Sequence, residues 1–196
     1  LLVTDLDNER VRIVRGPYSG WDAGDSWEPW NPNSYDVYVA AGDGNPGFAD
    51  GRGNVAQFAA PSSIAMGPGG IFYVLEREGG NRVRTLYWRG GDPTDSVNWQ
   101  VGLLAGSTTG AAGYTNAKGT SARFDDPRGI AVGPDGTVYV ADTYNHCIRK
   151  ITPDGDVTTL AGTTTPGYVD AVGTNARFNA PWDIAVGPDG YIYDKD

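Results

Sequence analysis

The residues best suited to chemistry in this sequence are its single histidine, His146, and its single cysteine, Cys147, which stand next to each other. Imidazole and thiolate are common metal ligands, but a metal site usually needs three or four ligands at defined spacing. Neighbouring side chains on a strand point to opposite faces, so this pair cannot converge on one ion. The sequence therefore predicts no metal site, no cofactor and no catalytic residue. Because Cys147 aligns with Arg10 and Arg82 of other repeats, we expect it to be a solvent-facing thiol.

Carboxylates recur at one position of the sequence, which favours a structural role for them. Asp142 with Asn145 repeats the pattern of Asp5 with Asn8, and Glu76 takes the place of the acid in another copy. We expect these acids to bind backbone donors in the turn that follows. A calcium site would need several oxygen ligands that converge; Asp5, Asp7 and Asn8 could contribute some of them, but we prefer the structural role.

Arginines also recur at one position, at Arg12, Arg84 and Arg149. Two interpretations are open. The three guanidinium groups could form a ring that binds anions, or each could pair with a carboxylate of the neighbouring repeat, which is the interpretation we prefer.

Five tryptophans lie in or beside two insertions that interrupt the repeat. They are Trp21, Trp27, Trp30, Trp88 and Trp99. Exposed tryptophan beside carboxylates suits stacking on sugar rings or binding a protein partner, so all five are candidate partner-binding residues. The alternative is that each loop folds onto its own sheet and its rings fill a gap.

These side chains are positioned by a repeat that occurs three times. Its core is Pro-x-x-Ile-Ala-(Val/Met)-Gly-Pro-x-Gly, starting at Pro61, Pro127 and Pro181. A second motif links the copies and carries an aromatic residue after glycine and a later phenylalanine: Phe48 and Phe58, Tyr114 and Phe124, Tyr168 and Phe178. We expect these aromatic side chains to pack between neighbouring repeats.

The copy that begins at Pro127 predicts four short antiparallel strands. They are expected at 129–132, 137–141, 147–151 and 156–160, separated by Pro-Asp-Gly and similar turns. Four short strands per unit are typical of a blade of a β-propeller. The predicted fold class is all-β, with β-propeller blades of four antiparallel strands.

The combination of this core with the Ala-Gly…Gly-Tyr…Ala-Arg-Phe linker resembles the NHL-repeat family of β-propellers. The resemblance covers nearly the whole chain and is strongest from Tyr38 onward. It implies a closed ring, commonly of six blades, that binds proteins, RNA or glycans and occasionally serves as an enzyme scaffold. The histidines that hold zinc in the amidating lyases of this fold have no match here.

The chain contains strands for about three blades. The expected organisation is one propeller portion over 1–196, with strands b, c and d of a blade at 1–40, blades at 61–105 and 127–161, and a first strand to donate at 181–196. Three blades do not close a ring, which needs about four to eight. Because Leu1 starts in the middle of a repeat, the ring is completed either by sequence missing from this chain or by another chain.

Assembly of two chains head to tail would give six blades by strand exchange. Each chain would donate 183–186 to the sheet formed by 1–14 of the other, and a contact that does not close would give a filament. The candidate self-assembly residues are Leu2, Val3, Val11, Ile184, Ala185 and Val186.

Composition excludes some function classes. With 15 Lys and Arg against 24 Asp and Glu and a net charge of −9, nucleic acid is not an expected partner. No apolar run is long enough to span a membrane. One cysteine permits no disulfide within the chain, which leaves the compartment open; an extracellular location is slightly favoured.

The function expected from the sequence is a non-catalytic binding or assembly module that engages a protein or a glycan through its propeller surface and Trp-rich loop and forms an oligomer head to tail through its terminal strands. The alternative is a propeller-type metal-dependent hydrolase or lyase. Against this alternative, the first strands of the repeats offer only Asp183 as an inward-facing acid.

Overall fold

The computed structural model describes residues 1–16 and 35–195, which form fourteen β-strands and several single turns of 3₁₀ helix. The strands are β1 (Leu2–Asp5), β2 (Arg10–Arg15), β3 (Asp36–Ala41), β4 (Gly51–Arg52), β5 (Pro61–Met66), β6 (Ile71–Glu76), β7 (Arg82–Trp88), β8 (Trp99–Gly106), β9 (Gly129–Val132), β10 (Val138–Asp142), β11 (Cys147–Ile151), β12 (Val157–Gly162), β13 (Asp183–Val186) and β14 (Ile192–Lys195).

The strands form four antiparallel sheets. Sheet I has the order β1-β2-β3, sheet II β4-β8-β7-β6-β5, sheet III β12-β11-β10-β9, and sheet IV β13-β14. Sheet III is the complete four-stranded unit that the repeat predicts. The predicted all-β fold of antiparallel blades is therefore confirmed, with strand ends that differ from the predicted ones by one or two residues.

The turn between the first two strands of each complete sheet follows from its sequence. In sheet III, Gly136 has φ +82°, a conformation that glycine adopts without steric cost. The Asp135 carboxylate accepts hydrogen bonds from the Thr137 amide and hydroxyl at 3.0 and 2.9 Å. Together these contacts set where the second strand starts.

Each hydrophobic core lies between two neighbouring sheets. Ile130 of sheet III packs with Tyr73 and Leu75 of sheet II, and Ile184 of sheet IV packs with Ala141 and Ile148 of sheet III. Sheets I and II share a third core, which includes Val11, Phe58, Val74, Leu86 and Trp99. The sheets are therefore stacked face to face in chain order, as blades of a propeller are.

The first strands of the sheets lie side by side at the inner edge of this stack. Strand β5 contacts β9, and β9 contacts β13. The Gly-Pro turns that follow these strands line a common space of about 500 Å³. This end of the sheets is here called the turn end, and the opposite end, where the linkers enter, is called the linker end.

Three linkers join the sheets: linker 1 (42–60), linker 2 (107–128) and linker 3 (163–182). The sequence did not predict that linker 1 adds a strand, β4, which pairs with β8 of sheet II. Among the described residues, no helix has the length and apolar character needed to cross a membrane.

The core between sheets I and II gives a first prediction. Leu86→Ala removes a side chain with no exposed surface and should lower the free energy of unfolding by about 2–5 kcal/mol, because a cavity is left behind. Urea denaturation followed by circular dichroism measures this. The matched control is Leu160→Ala, since Leu160 is 37% exposed and its loss should cost about 1 kcal/mol or less. Equal losses in both variants would contradict this account of the core.

Candidate functional site

Two arginines are held inside the protein between pairs of aromatic rings. The guanidinium carbon of Arg84 lies 4.8 Å from the Phe48 ring centroid and 5.3 Å from that of Phe58. That of Arg149 lies 4.9 Å from Tyr114 and 5.2 Å from Phe124. Neither arginine has exposed surface. The rings come from the linker that precedes the sheet, so each linker is fixed onto the third strand of the next sheet.

Backbone carbonyls of the linkers complete the enclosure of these two arginines. Arg84 Nη1 and Nη2 donate to the carbonyls of Gln57 and Ala49 at 2.8 and 2.9 Å. Arg149 donates in the same way to Arg123 and Thr115 at 3.1 and 3.0 Å. We call this arrangement, two linker rings and two linker carbonyls around one guanidinium group, the arginine clasp.

A shift in strand register aims each arginine at its clasp. The pairing of the third and fourth strands changes register immediately before Arg12, Arg84 and Arg149 in sheets I, II and III. A bulge of this kind turns the side chain that follows it and increases the local twist. The same irregularity therefore occurs wherever the repeat has its arginine.

Buried carboxylates neutralise the clasped arginines. Arg149 Nη1 lies 2.7 Å from Asp142 Oδ2, and Arg84 Nη1 lies 2.8 Å from Glu76 Oε1. Arg82 Nε lies 2.7 Å from Glu76 Oε2, as an ion pair without the alignment of a hydrogen bond. Burial raises the pKa of the Asp142 carboxyl to about 6, although Arg149 and the Asp125 amide act in the opposite direction. At neutral pH Asp142 is therefore ionised and paired.

These contacts correct two expectations from the sequence. Asp142 and Glu76 belong to the same sheet as their arginines, although Arg84 Nη2 also pairs with Asp50 of linker 1, from the preceding repeat, at 2.6 Å. The two acids also do not cap the turn that follows: Asp142 Oδ1 accepts from the Asp125 amide of linker 2 at 2.8 Å, and Glu76 Oε2 accepts from the Ala59 amide of linker 1 at 3.2 Å. The turn donates to Asp142 from a side chain, Asn145 Nδ2 to Oδ2 at 2.9 Å, and not from a backbone amide.

His146 has a structural hydrogen bond that its equivalents share. Its Nδ1 accepts from the Ala180 amide at 3.0 Å. Two other side chains at the same position bind the corresponding linker amides, Asn81 to Asp126 at 2.9 Å and Glu9 to Ala60 at 2.7 Å. His146 thus secures the end of linker 3.

Cys147 is fully buried, so the expectation of a solvent-facing thiol was wrong. Burial, together with the Asp142 charge, raises the pKa of the Cys147 thiol and keeps it protonated. Arg82, at the equivalent position, is also buried: its Nη1 donates to the Thr108 carbonyl of linker 2 at 3.3 Å, and its guanidinium carbon lies 4.7 Å from the Phe48 ring centroid of linker 1. In the part of the chain that the structure describes, no three His, Cys, Asp or Glu side chains are grouped as metal ligands would be.

An exposed surface at the linker end combines an arginine with two aromatic residues. The guanidinium carbon of Arg128 lies 3.9 Å from the Trp182 ring centroid and 5.7 Å from that of Tyr144. Arg128 Nε and Nη2 both bind Asp126 Oδ2, at 2.8 and 2.5 Å. Trp182 and Tyr144 are 52% and 54% exposed, whereas Asp126 is 2% exposed. We call Arg128, Tyr144 and Trp182 the Arg128 surface.

The Arg128 surface was not expected from the sequence, although a signal for it was present. Arg128 and Trp182 occupy the same position in two copies of the repeat, directly after proline, where Ser62 stands in the first copy. Positions that vary inside a fixed repeat are not required by the fold, so they are the positions at which a surface can be specialised.

The structure separates the tryptophans that the sequence grouped together. Trp99 is 5% exposed, stands in the core beside Phe72, and donates from Nε1 to the Pro93 carbonyl at 2.7 Å, so its ring fills a gap in its own sheet. Trp88 is 49% exposed at the turn end and stays a candidate for partner binding. Trp21, Trp27 and Trp30 lie outside the described residues.

The candidate self-assembly residues lie in two environments. Val11 and Ile184 are buried against neighbouring sheets of the same chain. Leu2 and Val3 stand in β1, which pairs only with β2 among the described residues, and Ala185 and Val186 stand in β13, which pairs with β14. Asp183 is exposed, and its Oδ1 accepts from the Ile184 amide at 2.9 Å.

Comparison with known proteins agrees with this architecture. The family model described as NHL repeat matches residues 124–151. The chain is 28% identical, over 98% of its length, to "Protein SUPPRESSOR OF QUENCHING 1, chloroplastic" of Arabidopsis thaliana. Over 78% of its length it is 30% identical to "NHL repeat-containing protein 2" of Bos taurus. It spans 21% of the length of each of these relatives.

A solved structure shows the same fold. The crystal structure of an auxiliary nutrient binding protein from Bacteroides thetaiotaomicron superposes on this chain with a TM-score of 0.66 and 19% sequence identity. The superposition covers 98% of this chain and 42% of the nutrient binding protein. Fold and repeated clasp together define a protein built of β-propeller blades. Residues 124–151 form an NHL repeat, and the resemblance to the NHL-repeat β-propellers is confirmed.

The clasp gives a second prediction. Asp142→Asn leaves the buried Arg149 charge without its counter-ion and should lower the free energy of unfolding by about 3–5 kcal/mol. Chemical denaturation of purified protein measures this. Asp154→Asn, in an exposed turn of the same sheet, is the control and should change stability by about 0.5 kcal/mol or less. A neutral Asp142→Asn variant would mean that the ion pair does not stabilise sheet III.

Proposed function

We propose that this chain is a non-catalytic binding and assembly module whose partner, a protein or a glycan, docks on the Arg128 surface. The proposal rests on the difference between buried side chains that hold the structure together and the exposed side chains of the Arg128 surface. Of the side chains most suited to chemistry, Asp142, His146 and Arg149 are engaged in contacts that hold the linkers to the sheets, and Cys147 is fully buried. The exposed aromatic surface is not needed for those contacts.

The composition of the Arg128 surface favours a binding role. Tryptophan, tyrosine and arginine are the residue types that most often dominate binding energy at interfaces. An arginine already held by Asp126 loses little rotamer freedom when a partner binds, which reduces the entropy lost on association. Asp126 is itself fixed, because its Oδ1 accepts from the Glu78 amide at 3.1 Å.

The rigid background of this surface also supports the proposal. Tyr144 follows the buried Asp142, and its amide donates to the Asp125 carbonyl at 3.1 Å. Trp182 follows Pro181, whose carbonyl accepts from the Thr143 hydroxyl at 2.8 Å. Binding side chains on a scaffold of this kind keep their spacing when the partner arrives.

The assembly part of the proposal concerns the edge of β1. Leu2 and Val3 present a strand edge beside an apolar groove of about 540 Å³ that Ile13, Ile64, Phe72 and Trp99 help to line. An unpaired edge beside apolar surface is suited to the addition of a strand from another molecule.

Partner binding gives a third prediction. Trp182→Ala should weaken binding at least about tenfold, because truncation of a central aromatic side chain typically costs about 2 kcal/mol. The measurement uses two probes, peptides selected by display against the chain and an array of oligosaccharides. The control is Tyr191→Ala, since Tyr191 is 69% exposed at the turn end.

The two probes separate the two classes of partner. Selected peptides that lose affinity for the Trp182→Ala variant but not for the control support a protein partner, and array signals with the same behaviour support a glycan. Binding that survives the loss of Trp182 would place the partner elsewhere, with Trp88 as the next residue to substitute.

A further inference from the structure

Linker 3 has the shape of an arginine clasp. Its Val169 and Arg177 form the same antiparallel bridge that Ala49 and Gln57 form in linker 1 and that Thr115 and Arg123 form in linker 2. The Gly167 amide donates to the Phe178 carbonyl at 3.0 Å, as Gly113 does to Phe124. The backbone that holds the guanidinium groups of Arg84 and Arg149 is therefore present a third time.

The aromatic rings of linker 3 are much more accessible than those of the two filled clasps. Tyr168 is 77% exposed, compared with 40% for Tyr114, and Phe178 is partly buried where Phe124 has no exposed surface. Within residues 1–16 and 35–195, the arginine–ring contacts involve the clasps of linkers 1 and 2 and the Arg128 surface, and none involves Tyr168 or Phe178. The clasp of linker 3 is thus built but contains no arginine in the described part of the chain.

Sheet I has the complementary half of the same arrangement. Arg12 Nη1 binds Asp5 Oδ2 at 2.9 Å, and Asn8 Nδ2 donates to Asp5 Oδ1 at 2.8 Å. Arg149 and Asn145 bind Asp142 in the same combination of residue types, although there both donate to Oδ2. The side chains of Arg12 and Asp5 are 35% and 21% exposed, whereas their equivalents are fully buried. Arg12 stacks on no aromatic ring of the described residues.

Strand β14, which pairs with β13, differs in residue type from the second strands of sheets II and III. Asp194 and Lys195 of β14 stand where β10 has the buried Val140 and Ala141 and where β6 has Val74 and Leu75. Strand β1 has Val3 and Thr4 at those positions. A second strand of a blade is therefore better provided by β1 than by β14.

From these complementary halves we propose that linker 3 binds Arg12 of a second copy of this chain. In the resulting blade, β13 of one copy pairs with β1 of the other, and β14 is displaced. Arg12 lies between the Tyr168 and Phe178 rings and donates to the Val169 and Arg177 carbonyls. The Asp170 carboxylate takes the place that Asp50 has beside Arg84, where the ion pair is 2.6 Å.

The inference rests on the assembly part of the proposed function and names the residues that form the contact. Displacement of β14 would remove the bond from the Trp182 amide to the Lys195 carbonyl, at 2.6 Å. Arg12 lies in sheet I, so Arg12→Ala tests assembly and leaves the side chains of the Arg128 surface unchanged, which keeps the two proposals separable. In the proposed assembly, β13 of one copy would cover the apolar groove beside β1 of the other copy. Ala131 of sheet III packs on Ile184 of the next sheet, and Ala185 would cover Ile64 in the same way.

Sedimentation equilibrium of the 196-residue chain tests this proposal, over a concentration series from about 1 to about 100 µM. The wild-type chain should show twice the 20.8 kDa chain mass if the ring closes, and larger masses if it does not. Tyr168→Ala and Arg12→Ala should each raise the dissociation constant at least about tenfold. Because Tyr168 is largely exposed, its loss should leave the folded monomer intact, as thermal unfolding would verify.

The most discriminating measurement is made on a mixture of the Tyr168→Ala and Arg12→Ala variants. A Tyr168→Ala copy retains Arg12, and an Arg12→Ala copy retains the clasp, so an equimolar mixture should form a dimer that neither variant forms alone. Contact between identical surfaces would not give this complementation, because each copy would then bring its own defect to every interface.

A matched charge pair controls for electrostatic effects. Asp170→Asn removes a proposed contact to Arg12 and should weaken assembly, whereas Asp154→Asn removes the same charge from an exposed turn and should not. A wild-type chain that stays monomeric throughout the concentration series would overturn the proposal, and the clasp of linker 3 would then bind a group other than Arg12 of a second copy. An assembly that tolerates Tyr168→Ala and Arg12→Ala, or variants that do not complement each other, would also overturn it.

Discussion

An arginine buried between two aromatic rings is the interaction on which each complete repeat of this protein depends. A guanidinium group without solvent is costly unless it is paired and hydrogen-bonded. In the clasp a buried carboxylate and two linker carbonyls bind the Nη atoms and two rings cover the faces, whereas Nε of Arg84 and of Arg149 has no hydrogen-bond partner among the described residues. These groups come from different segments: the arginine from the third strand, the acid from the second, and the rings and carbonyls from the preceding linker. One cation therefore fixes the linker, the strands and the boundary between blades together.

The clasp also explains why the side chains with the greatest chemical potential are structural. Asp142 neutralises Arg149, Cys147 is covered at the start of the same strand, and His146 holds the end of linker 3. Residues that must keep such contacts cannot be adapted to a ligand without loss of the fold. Specialisation is left to positions that the repeat does not constrain, such as Arg128 and Trp182, which stand on a backbone that the clasps hold rigid.

The rigidity of the clasps also matters at the two ends of the stack of sheets, where linker 3 and sheet I lie. Linker 3 has the same backbone bridge as the filled clasps, and Arg12 is already oriented by Asp5, so each half is organised before the two meet. Association between preorganised halves loses less conformational entropy than association between flexible ones. A repeat whose units contact only their neighbours can therefore present, at its edges, the same complementary surfaces that join its interior units.

Much of the architecture was determined by the sequence alone. The repeated Pro-x-x-Ile-Ala core and its Gly-Pro and Pro-Asp-Gly turns were sufficient to predict four antiparallel strands per unit, because these signals are local. The spacing of Tyr114 and Phe124 also indicated packing between repeats. Only the tertiary structure showed what those rings enclose, because the register shift before Arg149 and the carbonyls of linker 2 belong to segments that meet only after folding. For the same reason the burial of Cys147 and Trp99, and the meeting of Arg128 with Tyr144 and Trp182, depended on contacts between distant parts of the chain that no local pattern specifies.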